Sequence, residues 1–517
     1  MTETTLTVKR YSMGTTATVR ARGERPAGRV SVAIVGGGFS GLAIAIGLKQ
    51  AGFDDFVLFE RAAGVGGVWR HNEYPGAACD VASSLYSFSF EPNPDWSRPF
   101  APQPEIKAYL EHCADKYRIT EHLRCGTEIA AADFDERAGE WTVETTAGER
   151  YTARVLVSAC GQLTRPKIPN IPGLEGFSGE SFHSAEWNHD YDLTGKRVAV
   201  IGNGASAVQL VPQIAPKVAQ LTVFQRSAEY LIPKPDYAHR RFEHALYRRV
   251  PAALKAMRAA WWTIGEYVNP ALTLDMSPAL RKAYLAPFYY ATKAQLRTQI
   301  SDPVLRAKLT PDYQIGCKRI LLSSNYYPAL DRANADVVTE DIAEFAATGI
   351  VTADGEKRDF DTVIFATGFH SNGFVAPMRV RGLGGRDLTE QWAGSPEAYL
   401  GLTVAGFPNL FLMYGPNTNF GGGSIVYILE SQARYIVDAV RQLDRTAARY
   451  FDVTPEAFDA FSAEAQRRLA GSVWAKGGCT AWYTNDQGRV TNNWPGLMSE
   501  YRRRTRRLDL DKYQVVR

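Results

Sequence analysis

Two short glycine runs have the spacing that dinucleotide chemistry needs. Gly36, Gly38 and Gly41 stand as GxGxxG; Gly202, Gly204 and Ala207 stand as GxGxxA. In such a run the first glycine permits a tight turn and the second lets a pyrophosphate approach the backbone. The third small residue lets helix and strand pack closely, with the helix N-terminus facing the anion. The residues closing the two units differ. Glu60 closes the first, where a carboxylate accepts hydrogen bonds from a ribose diol. Gln225-Arg226-Ser227 closes the second. A carboxylate there would repel a 2′-phosphate, whereas a guanidinium binds one through two parallel charge-assisted bonds, a contact of about 1.5–3 kcal/mol. The second site therefore favours NADPH over NADH, and a chain with two such sites is expected to pair an exchangeable nicotinamide with a fixed flavin. A third stretch, GGVWRHNEYPGAACD from Gly66 to Asp80, is too broken for a helix and too rich in Gly and Pro for a strand. It reads as a stiff loop holding a Trp and an Asp close to the first turn.

The elements that must position these residues are legible around them. Each glycine run follows an apolar strand (RVSVAIV, KRVAVI) and precedes a helix and a second strand (FVLFE, LTVFQR). ERYTARVLVSACG (149–161) and DFDTVIFATG (359–368) read as buried strands closing on small residues. Prolines punctuate 163–177 as a linker, and Ala, Leu, Arg and aromatics at helical spacing fill 236–310. Helices are expected at 424–444 and 455–470. The fold class expected is α/β, with two Rossmann-like dinucleotide-binding domains and a helical insertion in the NADPH domain. The division expected is a flexible extension at 1–28, then the first part of the FAD domain at 29–165. A linker and the first part of the NADPH domain cover 166–228, and the helical insertion 229–316. The NADPH domain ends, with a linker, at 317–384, and the FAD domain resumes at 385–517.

Composition narrows the function. The chain has 517 residues, 45% hydrophobic and 22% charged, with a net charge of +4. That charge is too weak for a dedicated nucleic-acid binder. No apolar run is long enough to span a membrane and no secretory h-region follows the basic N-terminus, so a cytoplasmic protein is expected. Six scattered cysteines form no CxxC and no metal-ligand spacing. No metal is expected, and the thiols are expected to be reduced, with Cys160 and Cys317 as small packing residues.

The third stretch carries a family resemblance. Gly66, Gly67, Trp69, Tyr74, Pro75, Gly76 and Asp80 fit [A/G]GxW-x4-[F/Y]P[G/M]-x3-D, which resembles a fingerprint of type I Baeyer–Villiger monooxygenases. FSGESFHSAEWN supplies Phe177, Gly179, His183 and Trp187 of the other fingerprint, FxGxxxHxxxW, and then departs from it at Asn188. The similarity runs over most of the chain, including CKR at 317–319 and ATGF at 366–369. It implies an enzyme that uses FAD, NADPH and O2 to insert oxygen beside a ketone carbonyl through a C4a-peroxyflavin, giving an ester or lactone. Arg319 would be the catalytic arginine, held by Asp80, and Lys318 a second ligand of the 2′-phosphate. Phe39, Ser40, Arg61, Gly67, Val68, Trp69, Asp80, Val81, Tyr86, Ile129 and Ile425 would join the flavin set. Asn203, Ala205, Ser206, Gln209, Ser227, Arg319 and Trp482 would join the nicotinamide set. His183 would couple domain motion to cofactor binding or serve as a structural histidine. Related flavin N- and S-oxygenases, and a non-oxygenating NADPH oxidase or sensing flavoprotein, are the alternatives. The partners implied are a small-molecule ketone and O2, on a monomer or small homo-oligomer.

Overall fold

The computed structural model describes residues 28–517. The expected flexible extension at 1–28 lies outside them except for Gly28. β1 (Arg29–Val35), α1 (Phe39–Gln50) and β2 (Phe56–Phe59) form the first expected unit. β1 and β2 run parallel, with Val32 opposite Phe56 and Val35 opposite Phe59. β1 and β2 are rich in β-branched residues and phenylalanine, which suit a strand covered on both faces. Nine of the 12 residues of α1 are buried, so no single apolar stripe marks it. It lies between this sheet and the helix Ile425–Thr446, where Gly47 lets the two helices close: a Cβ there would sit 3.4 Å from Val437 Cγ2.

The first sheet has eight strands, and the chain completes it in two visits. Arg150–Ser158 pairs with β1 along its length, Arg29 opposite Thr152 and Val35 opposite Ser158. Its other edge is shared. Glu140–Thr145 covers the first half antiparallel, and Leu410–Leu412 covers the second half parallel. Arg379–Arg381 adds the far edge against Ile129–Asp135. Trp141, fully buried, ties the two visits together by donating its Nε1 to the Pro408 carbonyl at 2.9 Å.

The intervening chain builds a second sheet of five parallel strands in the order Ala335–Val338, Gln220–Phe224, Arg197–Ile201, Thr362–Phe365, Glu180–His183. Five helices lie between Arg241 and Lys308, the longest being Pro251–Thr273. That helix is anchored on the first sheet's side: Arg258 Nη1 donates to the carbonyls of Ser84, Leu85 and Ser87, and Gly265 meets Gly423. The helices at the C-terminal side run Ile425–Thr446 and Pro455–Ala470.

Two sequence expectations are corrected. The stretch 66–80 is not wholly loop, because Val68–His71 makes one helical turn after Gly66 (φ +136°) and Gly67 (φ +53°). Four residues are too few to leave a period in the sequence. The cysteines are not all reduced: Cys317 and Cys479 form a disulfide, their Cα atoms 6.1 Å apart. They are separated by 162 residues, so no local spacing could signal the pair.

One buried acid makes stability depend on pH. Asp452, in the strand Tyr450–Val453, accepts the Gly406 N–H with both carboxylate oxygens. Burial nevertheless lifts its carboxyl to about 7. The folded chain therefore holds this proton to higher pH than the unfolded chain, and stability is lost as pH rises from about 4 to about 7, then levels off. Asp452→Asn is expected to melt at least about 2–4 °C above the parent at pH 8. The gap should close in thermal melts at pH 4.

Candidate active site

The first glycine turn opens on a cavity of about 1210 Å³, counted with its open mouth. Its glycines are sterically required. A Cβ on Gly36 (φ +111°) would stand 2.4 Å from the Ala159 carbonyl oxygen, and one on Gly41 would stand 1.8 Å from the Gly36 oxygen. Gly38 and Gly67 face each other: a Cβ on Gly67 would lie 3.0 Å from Gly38 Cα. No side chain caps the N-terminus of α1, which leaves its amides available to an anion. Glu60 is buried, and its carboxylate accepts the Gly37 N–H at 2.7 Å and the Ala62 N–H at 2.8 Å. The carboxylate is thereby fixed at the end of β2, beside the turn.

Most of the expected flavin set lines this cavity: Gly36, Gly38, Phe39, Ser40, Glu60, Arg61, Gly67, Val68, Trp69, Tyr86, Ile129 and Ile425. Trp69 donates its Nε1 to the Tyr86 hydroxyl at 3.1 Å, which fixes both rings. Gly41, Asp80 and Val81 stand off the wall; Gly41 serves the close packing of α1 on its strand. Sequence reasoning missed Gln162, Met378, Tyr414 and Leu429, which also line the cavity. Gln162 donates its Nε2 to the Tyr414 carbonyl at 2.9 Å, while its Oε1 is buried with no hydrogen-bond partner among the described residues. An orphaned acceptor on such a wall fits a ligand that brings an N–H or O–H. No motif surrounds Gln162, so no sequence signal could have found it.

The second turn repeats the plan. A Cβ on Gly202 (φ +105°) would lie 2.5 Å from the Ala366 carbonyl oxygen, whereas one on Gly204 would meet nothing within 4 Å. The helix Ala205–Ile214 begins there without a side-chain cap. Asn203 Nδ2 donates to the Ser227 carbonyl at 2.8 Å, holding the turn against the end of the next strand. Arg226 is exposed at that end and forms no ion pair among the described residues. Lys318 reaches the same place, donating to Ser227 Oγ at 2.6 Å and pairing with Glu229 at 3.0 Å. Ala205 and Ser206 open the helix, and Ala207 is buried beneath it. Gln209 has a different place: it accepts the Tyr74 hydroxyl at 2.8 Å and donates to the Ala78 carbonyl at 2.9 Å. It stitches the 66–80 stretch to the second sheet's first helix, and Gly76 fits there because a Cβ would lie 2.6 Å from the Gln209 carbonyl oxygen.

The stitched loop delivers Asp80 to Arg319. Arg319 Nε donates to Oδ2 at 2.6 Å and Nη2 to Oδ1 at 2.9 Å, a two-point pair between residues 239 apart in sequence. Both side chains are about a quarter exposed, at 28% and 27%. The Asp80 carboxylate drives Arg319 further above its already high range, so the guanidinium stays charged. Burial pushes the phenols of Tyr414 and Tyr483 up, the latter to about 12, and the Arg319 charge partly offsets this in both. The cation thus acts on Tyr414, a wall of the first cavity. Trp482 is half-buried with its ring 4.6 Å from that of Tyr483. Its carbonyl accepts Ser371 Oγ and Asn492 Nδ2. His183 sits in the strand Glu180–His183; burial lowers it to about 4, so it is neutral at ordinary pH. Asn188, at the departing fingerprint position, accepts the Asp190 N–H at 3.1 Å and closes the local turn.

The arrangement joins two anion-ready turns to one fixed cation, and the chain as a whole is similar to known proteins. Residues 29–260 match the model of the flavin-binding monooxygenase-like family. A Baeyer–Villiger monooxygenase of Streptomyces coelicolor is 48% identical over 94% of this chain and 93% of its own length. One from Pseudomonas aeruginosa is 47% identical over 94% and 91%. Among solved structures, an oxidized steroid monooxygenase bound to NADP superposes with a TM-score of 0.82 at 34% identity, covering 94% of this chain and 99% of that one. NADP+-bound cyclohexanone monooxygenase from Rhodococcus also gives 0.82, at 28% identity over 95% and 100%. No helix among the described residues is long and apolar enough to cross a membrane. With near-half identity over almost the whole chain, on top of the paired glycine turns and the Asp80–Arg319 bridge, the chain belongs to the Baeyer–Villiger monooxygenases.

Proposed function

We propose that the chain inserts one oxygen atom of O2 beside a ketone carbonyl to give an ester or lactone, with FAD in the first cavity and NADPH at the second turn. The observation that carries this is the two-point Asp80–Arg319 pair. It fixes a permanent cation whose charge reaches the wall residue Tyr414, and that charge would support an anionic oxygen formed in the cavity. Bound flavin, once reduced, supplies the activation of dioxygen. The chain supplies the rest. Arg319 Nη1 makes no hydrogen bond among the described residues and can donate to a negative oxygen, as an oxyanion-hole donor does. Asp80 fixes the plane of the guanidinium and keeps it from turning on the positively charged nicotinamide product. Arg suits the task because it stays protonated at any working pH. Glu60 orients the flavin-side ribose, Trp69 and Tyr86 cover the cavity wall, and Trp482 closes over the nicotinamide side.

Arg226 and Lys318 are assigned to the 2′-phosphate. Arg226→Ala is expected to raise KM for NADPH about 10- to 100-fold and to leave KM for NADH within about twofold, since a lost charge-assisted bond of this kind weighs one to two decades. Steady-state kinetics with both coenzymes checks it; an unchanged NADPH/NADH preference would reject the assignment. The ketone reading is tested by incubating the yellow protein with ketones, sulfides and amines in parallel and identifying products by mass. Esters or lactones support it, and N-oxides or sulfoxides without ester would replace it with the N- or S-oxygenase alternative. We take the FAD domain to be residues 29–165 and 385–517, the NADPH domain 166–228 and 317–384, and the helical insertion 229–316. The protein is proposed to act in the cytoplasm as a monomer or small homo-oligomer.

A further inference from the structure

The disulfide joins two segments that the chemistry needs to act together. Cys317 is immediately followed by Lys318 and Arg319, and Cys479 stands three residues before Trp482. Cys317 is 1% exposed, and Cys479 is half-buried. The space around the bridge is tight: a Cβ on Gly477 would lie 2.6 Å from both Cβ and Sγ of Cys317, so only glycine fits beside it. The next residue, Gly478 (φ +74°), would meet nothing within 4 Å, and Thr480 is exposed. One backbone hydrogen bond, Gln314 N–H to the Gly477 carbonyl at 3.0 Å, is the only one among the described residues that links 312–319 with 476–483. The remaining ties are apolar packing of Trp482 and Tyr483 against the same cluster as Cys317 and the electrostatic coupling of Tyr483 to Arg319. The Tyr483 hydroxyl, buried on that side, has no hydrogen-bond partner among the described residues. The Trp482 and Tyr483 carbonyls accept hydrogen bonds from Ser371, Thr491 and Asn492 rather than from the arginine segment. Between these two segments non-covalent ties are therefore few, and the S–S bond is the one covalent link among the described residues.

We propose that the Cys317–Cys479 disulfide is a positioning strap for the reaction: it makes the Lys318–Arg319 segment and the Trp482 loop move as one body, so that the thiol–disulfide state sets how well NADPH is held and what share of its electrons reaches the ketone. This rests on the roles given above to Lys318, Arg319 and Trp482. Opening needs an external thiol such as glutathione or a dithiol protein. Its thiolate attacks Sγ of Cys479, the more exposed residue of the two. The S–S bond breaks, and the electron pair leaves on Cys317 Sγ, which takes up a proton. A second thiol resolves the mixed disulfide, so two incoming thiols are oxidised to one disulfide and the cystine gains two electrons and two protons. Closing is the reverse, with glutathione disulfide as oxidant. With the strap open, the closed arrangement is only part of the population, and apparent affinity falls by that fraction.

The test uses the holoenzyme equilibrated in glutathione buffers of graded ratio. Thiols are counted by alkylation and mass, while NADPH oxidation, ester and H2O2 are measured on the same samples. Opening the bridge is expected to raise KM for NADPH about three- to tenfold and to increase H2O2 released per NADPH, with the maximal rate of flavin reduction within about twofold. Cys479→Ser should reproduce the reduced parent and ignore the glutathione ratio. The proposal is overturned if all six cysteines alkylate in the oxidised protein. It is equally overturned if opening lowers the melting temperature but leaves KM and the ester-to-peroxide ratio unchanged, which would make the bridge a staple only. If Cys479→Ser does not fold, the graded reduction of the parent decides alone. If no ketone yields ester, the ketone reading fails, and KM for NADPH read from peroxide-forming turnover still decides the strap.

Discussion

Arg319→Ala is expected to abolish ester formation while leaving NADPH-driven flavin reduction measurable. Loss of one preorganised donor to a developing oxyanion lowers turnover by about 10²–10³-fold, and here the lost group is also the local positive charge. The two-point geometry separates charge from placement. Arg319→Lys keeps a cation but cannot match both Asp80 oxygens, now 2.6 and 2.9 Å from Nε and Nη2, so it should fall between parent and alanine. Asp80→Asn keeps the guanidinium but removes the charge that orients it, and should also lose ester yield. Electrons no longer delivered to the ketone should appear as H2O2. Stopped-flow reduction, product chromatography and peroxide assay read the three quantities. Ester from Arg319→Ala at near-parental rate would dismiss the role given to this residue.

Gly41→Ala is the second large effect, and it comes from geometry alone. The added Cβ would fall 1.8 Å from the Gly36 carbonyl oxygen and 3.1 Å from Leu58 Cδ1. The first obstacle is backbone in the turn itself and cannot swing away, so α1 must lift from its strand. The variant should purify colourless, with flavin occupancy down more than about tenfold, or fail to fold, since overpacking of this severity exceeds the usual 1–3 kcal/mol. Gly204→Ala is the informative companion. Its Cβ meets nothing within 4 Å, so the chain tolerates it and the variant should stay yellow. Any penalty then arises only when a pyrophosphate approaches, as a raised KM for NADPH. Flavin absorbance against protein absorbance, with circular dichroism as a folding check, distinguishes the two. A fully yellow Gly41→Ala protein would contradict the steric account.

Much of this is legible in the amino-acid sequence, for identifiable reasons. The glycine turns were legible because a tight turn and a close helix–strand contact are local demands, satisfied by residues within one short run. The interrupted course of the first domain is an expectation from the order of the units along the chain; the late strand that closes on small residues, Thr362–Phe365, belongs to the second sheet, and Leu410–Leu412 is too short to show a period. Asp80 and Arg319 were paired through family resemblance, since nothing in the spacing of residues 239 apart predicts a contact. Gln162 and Tyr414 escaped notice because their place on the cavity wall depends on tertiary packing. The Cys317–Cys479 bridge was misjudged for the same reason, and the turn Val68–His71 was too short to show a period.

The way the first sheet is finished carries a consequence for synthesis. During translation, both glycine turns leave the ribosome early, but Leu410–Leu412 and the helix from Ile425 follow only after the whole intervening body. Until then the second half of one edge of Arg150–Ser158 lacks its neighbour, α1 has an uncovered flank, and Ile425 and Leu429 are missing from the cavity. The nascent protein is therefore expected to acquire its pigment near the end of its manufacture, and a message cut short before the codon for Leu410 would yield an aggregation-prone fragment with a partly unpaired sheet edge.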